Sequence, residues 1–156
     1  MIFNVISDPV NGKARIIGDG LAKLSFTRRS DIGKVLAKAL EDPNLMKVAV
    51  DGNFMLRIQG ETLPYKDAIG TLEKVMGKKF DIEYIDPMIA LKQEQELLVK
   101  GIAGDVGAFW ESFRLHILGE PARGMTGGDL SKGAKSYGVT LETLAETLES
   151  VYGTKI

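Results

Sequence analysis

The chain lacks cysteine and has one histidine and one tryptophan among 156 residues. Without cysteine there is no disulfide framework, thiolate metal site or thiol nucleophile. His116 alone cannot build a multi-histidine metal centre within one chain, so no metal is expected. Charge of one sign is also scarce: 20 basic against 21 acidic residues leave −1, which argues against nucleic acid as a partner. No apolar run approaches the roughly 20 residues that cross a bilayer. The start, Met1 to Asp8, has no basic run and meets an acid early, unlike a secretory signal. These absences predict a cytoplasmic protein with no membrane partner.

What is present is ordinary in bulk, 44% hydrophobic and 26% charged, and the length fits one domain over 1–156. Glycine stands out, with 18 residues against a usual share of about 7%. Residues 1–40 hold seven basic and three acidic residues, a segment that can meet an anionic ligand or simply face water.

Two β-like runs, Ala14–Ile17 and Leu21–Phe26, flank Gly18-Asp19-Gly20, which reads as a hairpin or a sharp connection. Ser30 is placed to cap a helix from Asp31 to about Glu41, with Ile32, Val35, Leu36, Ala39 and Leu40 as its apolar stripe. Asp42-Pro43 ends it. Phe54, Leu56 and Ile58 alternate as a strand. Thr62 is placed to cap a second helix, with Pro64 in its first turn, Ala68, Ile69, Leu72, Val75 and Met76 inward, and Gly77 as a left-handed stop. Phe80, Ile82 and Tyr84 alternate again, and Asp86-Pro87 closes that strand. The crossover lengths permit parallel pairing. The last third reads as helices over 88–100 and 105–118, a Gly-rich connection over 119–139, and a final helix capped by Thr140 and stopped by Gly153. The fold class expected is α+β, derived from α/β, with a small mixed sheet, about five helices and a helical C-terminal third.

Chemical motifs are sparse. Gly128 to Ser136 looks like a phosphate loop, but Ala134 separates Gly133 from Lys135 and no strand precedes it. Gly18-Asp19-Gly20 lacks the third glycine of a dinucleotide fingerprint, because position 23 is Lys. No G-x-S-x-G elbow is present. His116 can serve as a general base or as a structural residue paired with Glu120, four positions on. Phe109, Trp110 and Phe113 can be core or the wall of a small-molecule pocket, with the Gly-rich 119–139 segment as its cover.

One ordered set of short motifs goes further. Gly18-Asp19-Gly20, Phe26-Thr27, Asp31-Ile32-Gly33, a helix, Asp42-Pro43, a strand and Gly60-Glu61-Thr62-Leu63 follow one another. A helix ending Glu73-Lys74-Val75-Met76-Gly77-Lys78-Lys79 completes the set. In this order and spacing they resemble the C-terminal, substrate-binding half of NmrA-like proteins, the isoflavone-reductase-like atypical short-chain dehydrogenases. The similarity is best over about residues 12–86. In that family an N-terminal Rossmann half binds NAD(P), and the C-terminal half completes the sheet and builds the substrate pocket. Members reduce phenylpropanoids and other small carbonyl or aromatic compounds, and some are non-catalytic redox-sensing regulators.

The resemblance implies the second half alone, lacking the N-terminal Rossmann half, so no cofactor and no cofactor-binding residue are expected. None of Tyr65, Tyr84, Tyr137 and Tyr152 is followed four residues later by Lys, so the Tyr-x-x-x-Lys pair of catalytic short-chain dehydrogenases is absent. The leading expectation is a small-molecule-binding domain with a binding or regulatory role. The first alternative is a cofactor-independent isomerase, cyclase or lyase acting on a small apolar or aromatic metabolite. Its catalytic residues would be His116, Glu111 and Tyr84, with Asp19 and Asp31 also available, and its substrate-binding residues Phe109, Trp110 and Phe113. The second is a reductase whose NAD(P) sits on a partner chain. Strand edges that the family covers with its other half would here be bare, which predicts a homodimer or a partner protein.

Overall fold

The computed structural model describes residues 7–44, 58–123 and 137–153. Among these, strands β1 (Ser7–Asp8), β2 (Lys13–Ile17), β3 (Lys23–Phe26), β4 (Glu61–Pro64) and β5 (Asp81–Ile85) accompany five helices. The helices are α1 (Arg29–Leu40), α2 (Tyr65–Met76), α3 (Pro87–Ile102), α4 (Val106–Ala122) and α5 (Leu144–Tyr152). This is the expected α+β class with a small mixed sheet. No helix among the described residues is long and apolar enough to cross a membrane.

The chain divides into two compact units, Met1–Leu24 with Pro64–Thr126, and Ser25–Leu63 with Gly127–Ile156. In the first, β1, β2 and β5 lie side by side. β1 is antiparallel to β2, and β2 is parallel to β5 with Ala14 opposite Ile82 and Ile16 opposite Tyr84. Alternation along β2 explains the layering: Lys13 and Arg15 face water while Ala14 and Ile16 are buried. Ala68, Ile69 and Leu72 of α2 are buried in the same unit, each apolar side chain worth up to about 1.5–3 kcal/mol. α2 ends at Gly77 in the left-handed conformation, as its sequence predicts. Helices α3 and α4 cross closely: a Cβ at Gly101 would lie 2.7 Å from Phe109 Cα.

β2 and β3 belong to different sheets, so Gly18-Asp19-Gly20 is a sharp connection and not a hairpin. Gly18 and Gly20 both take positive φ, 77° and 75°. The connection holds the start of α2, because Lys66 N donates to Gly20 O and Tyr65 N to Ala22 O. Those carbonyls do the work expected of Thr62. Thr62 lies in β4, its hydroxyl 2.8 Å from that of Ser25, and α2 starts three residues later.

In the second unit α1 begins one residue before Ser30, with Arg28 as an N-cap whose side chain makes no capping hydrogen bond. Its buried line is Asp31, Val35 and Ala39, while Ile32, Leu36 and Leu40 of the expected stripe are exposed. The rotation follows from Asp31, whose Oδ2 accepts Glu142 N at 2.8 Å and whose Oδ1 accepts Lys34 Nζ at 2.8 Å. Arg28 and Lys34 also pair with the Glu142 carboxylate. α5 is capped by Thr143 and not Thr140, through a capping box with Glu146. Glu61 Oε2 accepts Leu144 N at 2.7 Å.

The helix expected to stop at 118 continues through Gly119 and Pro121 to Ala122. Pro121 is tolerated so near the end because Arg123 N closes the last turn on Gly119 O and Glu120 O. The strand expected over 54–58 lies outside the described residues except for its last position, and so do residues 124–136 of the Gly-rich connection.

Candidate functional site

The carboxyl ends of β2 and β5 point the same way, because the strands are parallel. Gly18 N donates to Ile85 O at 2.9 Å, tying the two strand ends together. From there one chain turns through Gly18–Ala22, and the other enters α3 at Pro87. The first turn of α3 is capped by Asp86 Oδ1, which accepts from Met88 N and Ile89 N. The end of α4 brings in Pro121 and Ala122. These residues enclose an open concavity of about 540 Å3, lined by Gly18, Asp19, Leu21, Ala22, Pro87, Pro121 and Ala122. Its volume lies in the range of small-molecule sites, and open sheets with parallel strands take ligands at this same end.

The side chains of the lining are apolar apart from the exposed Asp19, the one charged residue among the described residues that form it, and backbone polar atoms share the surface with them. Asp19 Oδ1 accepts Leu21 N at 2.9 Å, an Asx turn that fixes the carboxylate at the rim. Proline, alanine and leucine here carry no acid–base chemistry, so the side chains of this concavity supply shape and one carboxylate beside its backbone groups.

Of the sequence candidates, Asp19 lines this concavity, Asp31 lies in the second unit, and the others lie elsewhere in the first. His116, on α4, sits between two carboxylates: Nδ1 is 2.8 Å from Glu94 Oε1 and Nε2 is 3.3 Å from Glu120 Oε1. Glu94 is buried on α3 and also approached by Arg123 Nη2 at 3.4 Å, while its own carbonyl accepts from Ser112 Oγ. The two ring nitrogens point at different carboxylates and do not converge on one atom. Among the described residues no group of three His, Asp or Glu side chains could hold a metal ion.

Glu111 is paired with Arg114 on α4 and lies 3.6 Å from Arg15 Nη1, and Arg15 Nε meets Glu83 at 2.8 Å. Arg15 and Arg114 help line a second open concavity of about 490 Å3, with Ser7, Asp8, Lys13, Ala14, Asp81 and Glu83. Register explains its mixed charge: Lys13 lies between Asp8 and Asp81 across the sheet, and Arg15 faces Glu83. Nearby on α2, burial pushes the Tyr65 phenol above its ordinary range, opposed by the Arg114 charge, so it stays protonated.

Tyr84 is exposed on β5. Phe109, Trp110 and Phe113 are between 43% and 61% exposed, with Trp110 edge-on to both phenyl rings at 5.8 and 6.0 Å. The structure therefore brings the aromatic trio together, but separates it from the linings of both concavities. Inward positions on α4 belong to Ala108, Ser112, Leu115 and Leu118. Sequence reasoning passed over Glu94, which helical spacing alone does not distinguish from a solvated acid. It also passed over the two prolines of the first concavity, since Pro87 read as the close of a strand and Pro121 as part of the Gly-rich connection.

Known proteins share part of this chain. It is similar to reductases of the isoflavone-reductase and phenylcoumaran benzylic ether reductase group. An isoflavone reductase of Medicago sativa is 31% identical over 90 residues, 58% of this chain and 27% of the relative. A phenylcoumaran benzylic ether reductase of Ginkgo biloba is 29% identical over 87 residues, 56% of this chain and 27% of the relative. A eugenol synthase of Petunia hybrida is 31% identical over 86 residues, 55% and 27%. The matched stretch thus spans about a quarter of those relatives' length. No family model and no solved structure matches the chain.

Proposed function

We propose that this chain is a small-molecule-binding domain of the isoflavone-reductase-like kind, holding a small, largely apolar ligand beside Asp19 in a binding or regulatory role. The observation that carries this reading is the concavity at the shared carboxyl ends of β2 and β5, whose side chains are apolar but for one carboxylate. The similarity to proteins named for isoflavone, phenylcoumaran and eugenol chemistry suggests aromatic ligands. Neither concavity carries the glycine-rich loop that opens a helix onto a dinucleotide, so NAD(P) is not read as a ligand of this chain.

Thermal unfolding with eugenol, an isoflavone and NADPH, each added separately, tests this reading. A ligand at about 100 times its Kd stabilises by about 2.7 kcal/mol. The expected result is a raised Tm with an aromatic compound, weakened in Ala122→Phe, whose ring intrudes on the concavity. A rise with NADPH alone contradicts the reading.

A second reading, an enzyme without a nucleotide, has one observation in its favour. The Glu94 carboxylate fixes one nitrogen of His116, the arrangement by which an acid orients a catalytic imidazole. Phe109, Trp110 and Phe113 would then contact substrate, with Glu111 and Tyr84 as further acid–base groups. Unchanged turnover in His116→Ala, against any activity found, removes His116 from that scheme. The outward apolar side chains of α4 (Val106, Trp110, Phe113 and Ile117) suit a protein partner or a second copy. A partner carrying NAD(P) would make the pair a reductase. Light scattering showing a stable dilute monomer contradicts the homodimer.

A further inference from the structure

A surface helix ordinarily carries one apolar stripe, turned toward the core, with polar residues opposite. Helix α4 carries two. Ala108, Ser112, Leu115 and Leu118 are buried on its inward side. The opposite side presents Val106, Phe109, Trp110, Phe113 and Ile117, an arc of about 100° by helical period. These five side chains are from 40% to 67% exposed. At about 150–250 Å2 for a whole aromatic side chain, such fractions leave on the order of 500 Å2 of apolar side chain open to water. Two such faces together reach about 1000 Å2, the size at which specific protein interfaces begin.

The order of these residues points to the occupant. Val106, Trp110, Phe113 and Ile117 are separated by four, three and four positions, a spacing that reads the same in both chain directions. When two such helices pack antiparallel about a two-fold axis level with the middle of the stripe, Trp110 of one copy lies level with Phe113 of the other, and Val106 with Ile117. We propose that this face of α4 is a self-complementary interface, at which two copies of the chain pair through antiparallel α4 helices. The proposal rests on the homodimer reading above and adds the surface, the direction and the register. Aromatic side chains meet at the centre, where interfaces are rich in them and poor in charge. The polar groups of α4 stay at the sides. Glu111 and Arg114 on one flank are paired with each other, and on the other flank His116 Nε2 is 3.3 Å from Glu120 Oε1. Pairing therefore buries no lone charge.

Sedimentation velocity on the whole chain, across a concentration series, gives the dimer dissociation constant. Phe113→Arg and, separately, Ile117→Arg should each raise it about a hundredfold or more, because a lone charge then faces apolar side chains. Far-ultraviolet circular dichroism confirms that each variant is folded. The chain has no cysteine, so the register can be read by disulfide formation under mild oxidation. Val106→Cys and Ile117→Cys combined in one chain should give a covalent dimer. Either alone should not, since like positions would sit about 16 Å apart along the paired helices. A monomer at every concentration overturns both the interface and the homodimer reading. A dimer that keeps its affinity in both arginine variants overturns the interface and leaves the homodimer reading standing. So does a dimer that forms no disulfide in the double cysteine variant, or that crosslinks as well through one of the two substitutions alone.

Discussion

The two compact units are held by different physics. The first joins a parallel ladder to apolar helix faces: Ile16, Ile69, Leu72 and Ala90 are at or near zero exposure, and the charges of its sheet face lie outward. In the second, the buried apolar side chains among the described residues are Val35, Ala39, Leu144 and Leu148, and a buried carboxylate sits with them. There Asp31 and Glu61 accept the backbone N–H groups that open α5, at Glu142 and Leu144. A backbone ladder carries no titrating group, whereas the carboxylates that anchor α5 do; the first unit uses carboxylates too, at Glu94 beside His116 and at Glu73, whose Oε1 accepts Phe80 N. The concavity proposed to bind ligand belongs to the first kind of unit, whose strand ends are fixed by backbone pairing.

The largest effects should be common to both units. Leu72→Ala in the first and Leu148→Ala in the second each empty a fully packed position. Each should cost about 2–5 kcal/mol in denaturant unfolding. The comparison sharpens with Asp31→Ala, which leaves Glu142 N and Lys34 without their shared acceptor and should cost about 1.5–3 kcal/mol. Its pH dependence has a definite sign. Burial resists ionisation of Asp31, but the Lys34 ammonium and the Glu142 N–H outweigh it and hold the group below its ordinary 3.8. Its contribution is complete above that value and drains as pH falls from 3.8 through the lower folded value. Acid titration should therefore release amide protection at the start of α5 as Asp31 titrates, and protection there that persists well below that range contradicts the assigned sign. Thr143→Ala removes one side of the capping box and should cost about 1 kcal/mol. Trp110→Ala, at an exposed position of α4, removes two edge-on ring contacts and should cost no more than about 1 kcal/mol.

Where period and turn chemistry decide the outcome, the sequence was readable. Alternation placed Ile82 and Tyr84 in β5, and Gly77 marked the end of α2. Helix starts were misread at Ser30, Thr62 and Thr140 for one reason: each hydroxyl is a plausible cap, but tertiary partners chose otherwise. Arg28, the Gly20 and Ala22 carbonyls, and Thr143 with Glu146 took those places. Two of the motifs behind the resemblance have structural roles. Asp31 anchors α5. Gly60 packs so closely that a Cβ there would lie 2.0 Å from Phe26 O, while its N–H donates to Thr27 Oγ1. The proposed site was legible only at Asp19, since Pro87, Pro121 and Ala122 converge through topology and share no local pattern.

The most direct measurement of the central claim is a map of amide chemical-shift changes as eugenol is titrated into the folded chain. The account predicts saturable shifts at Gly18, Asp19, Leu21, Ala22 and Ala122, with Val35, Leu144 and Leu148 unmoved. Shifts centred on α1 and α5, or no saturable shift at any described residue with any aromatic ligand, contradict it.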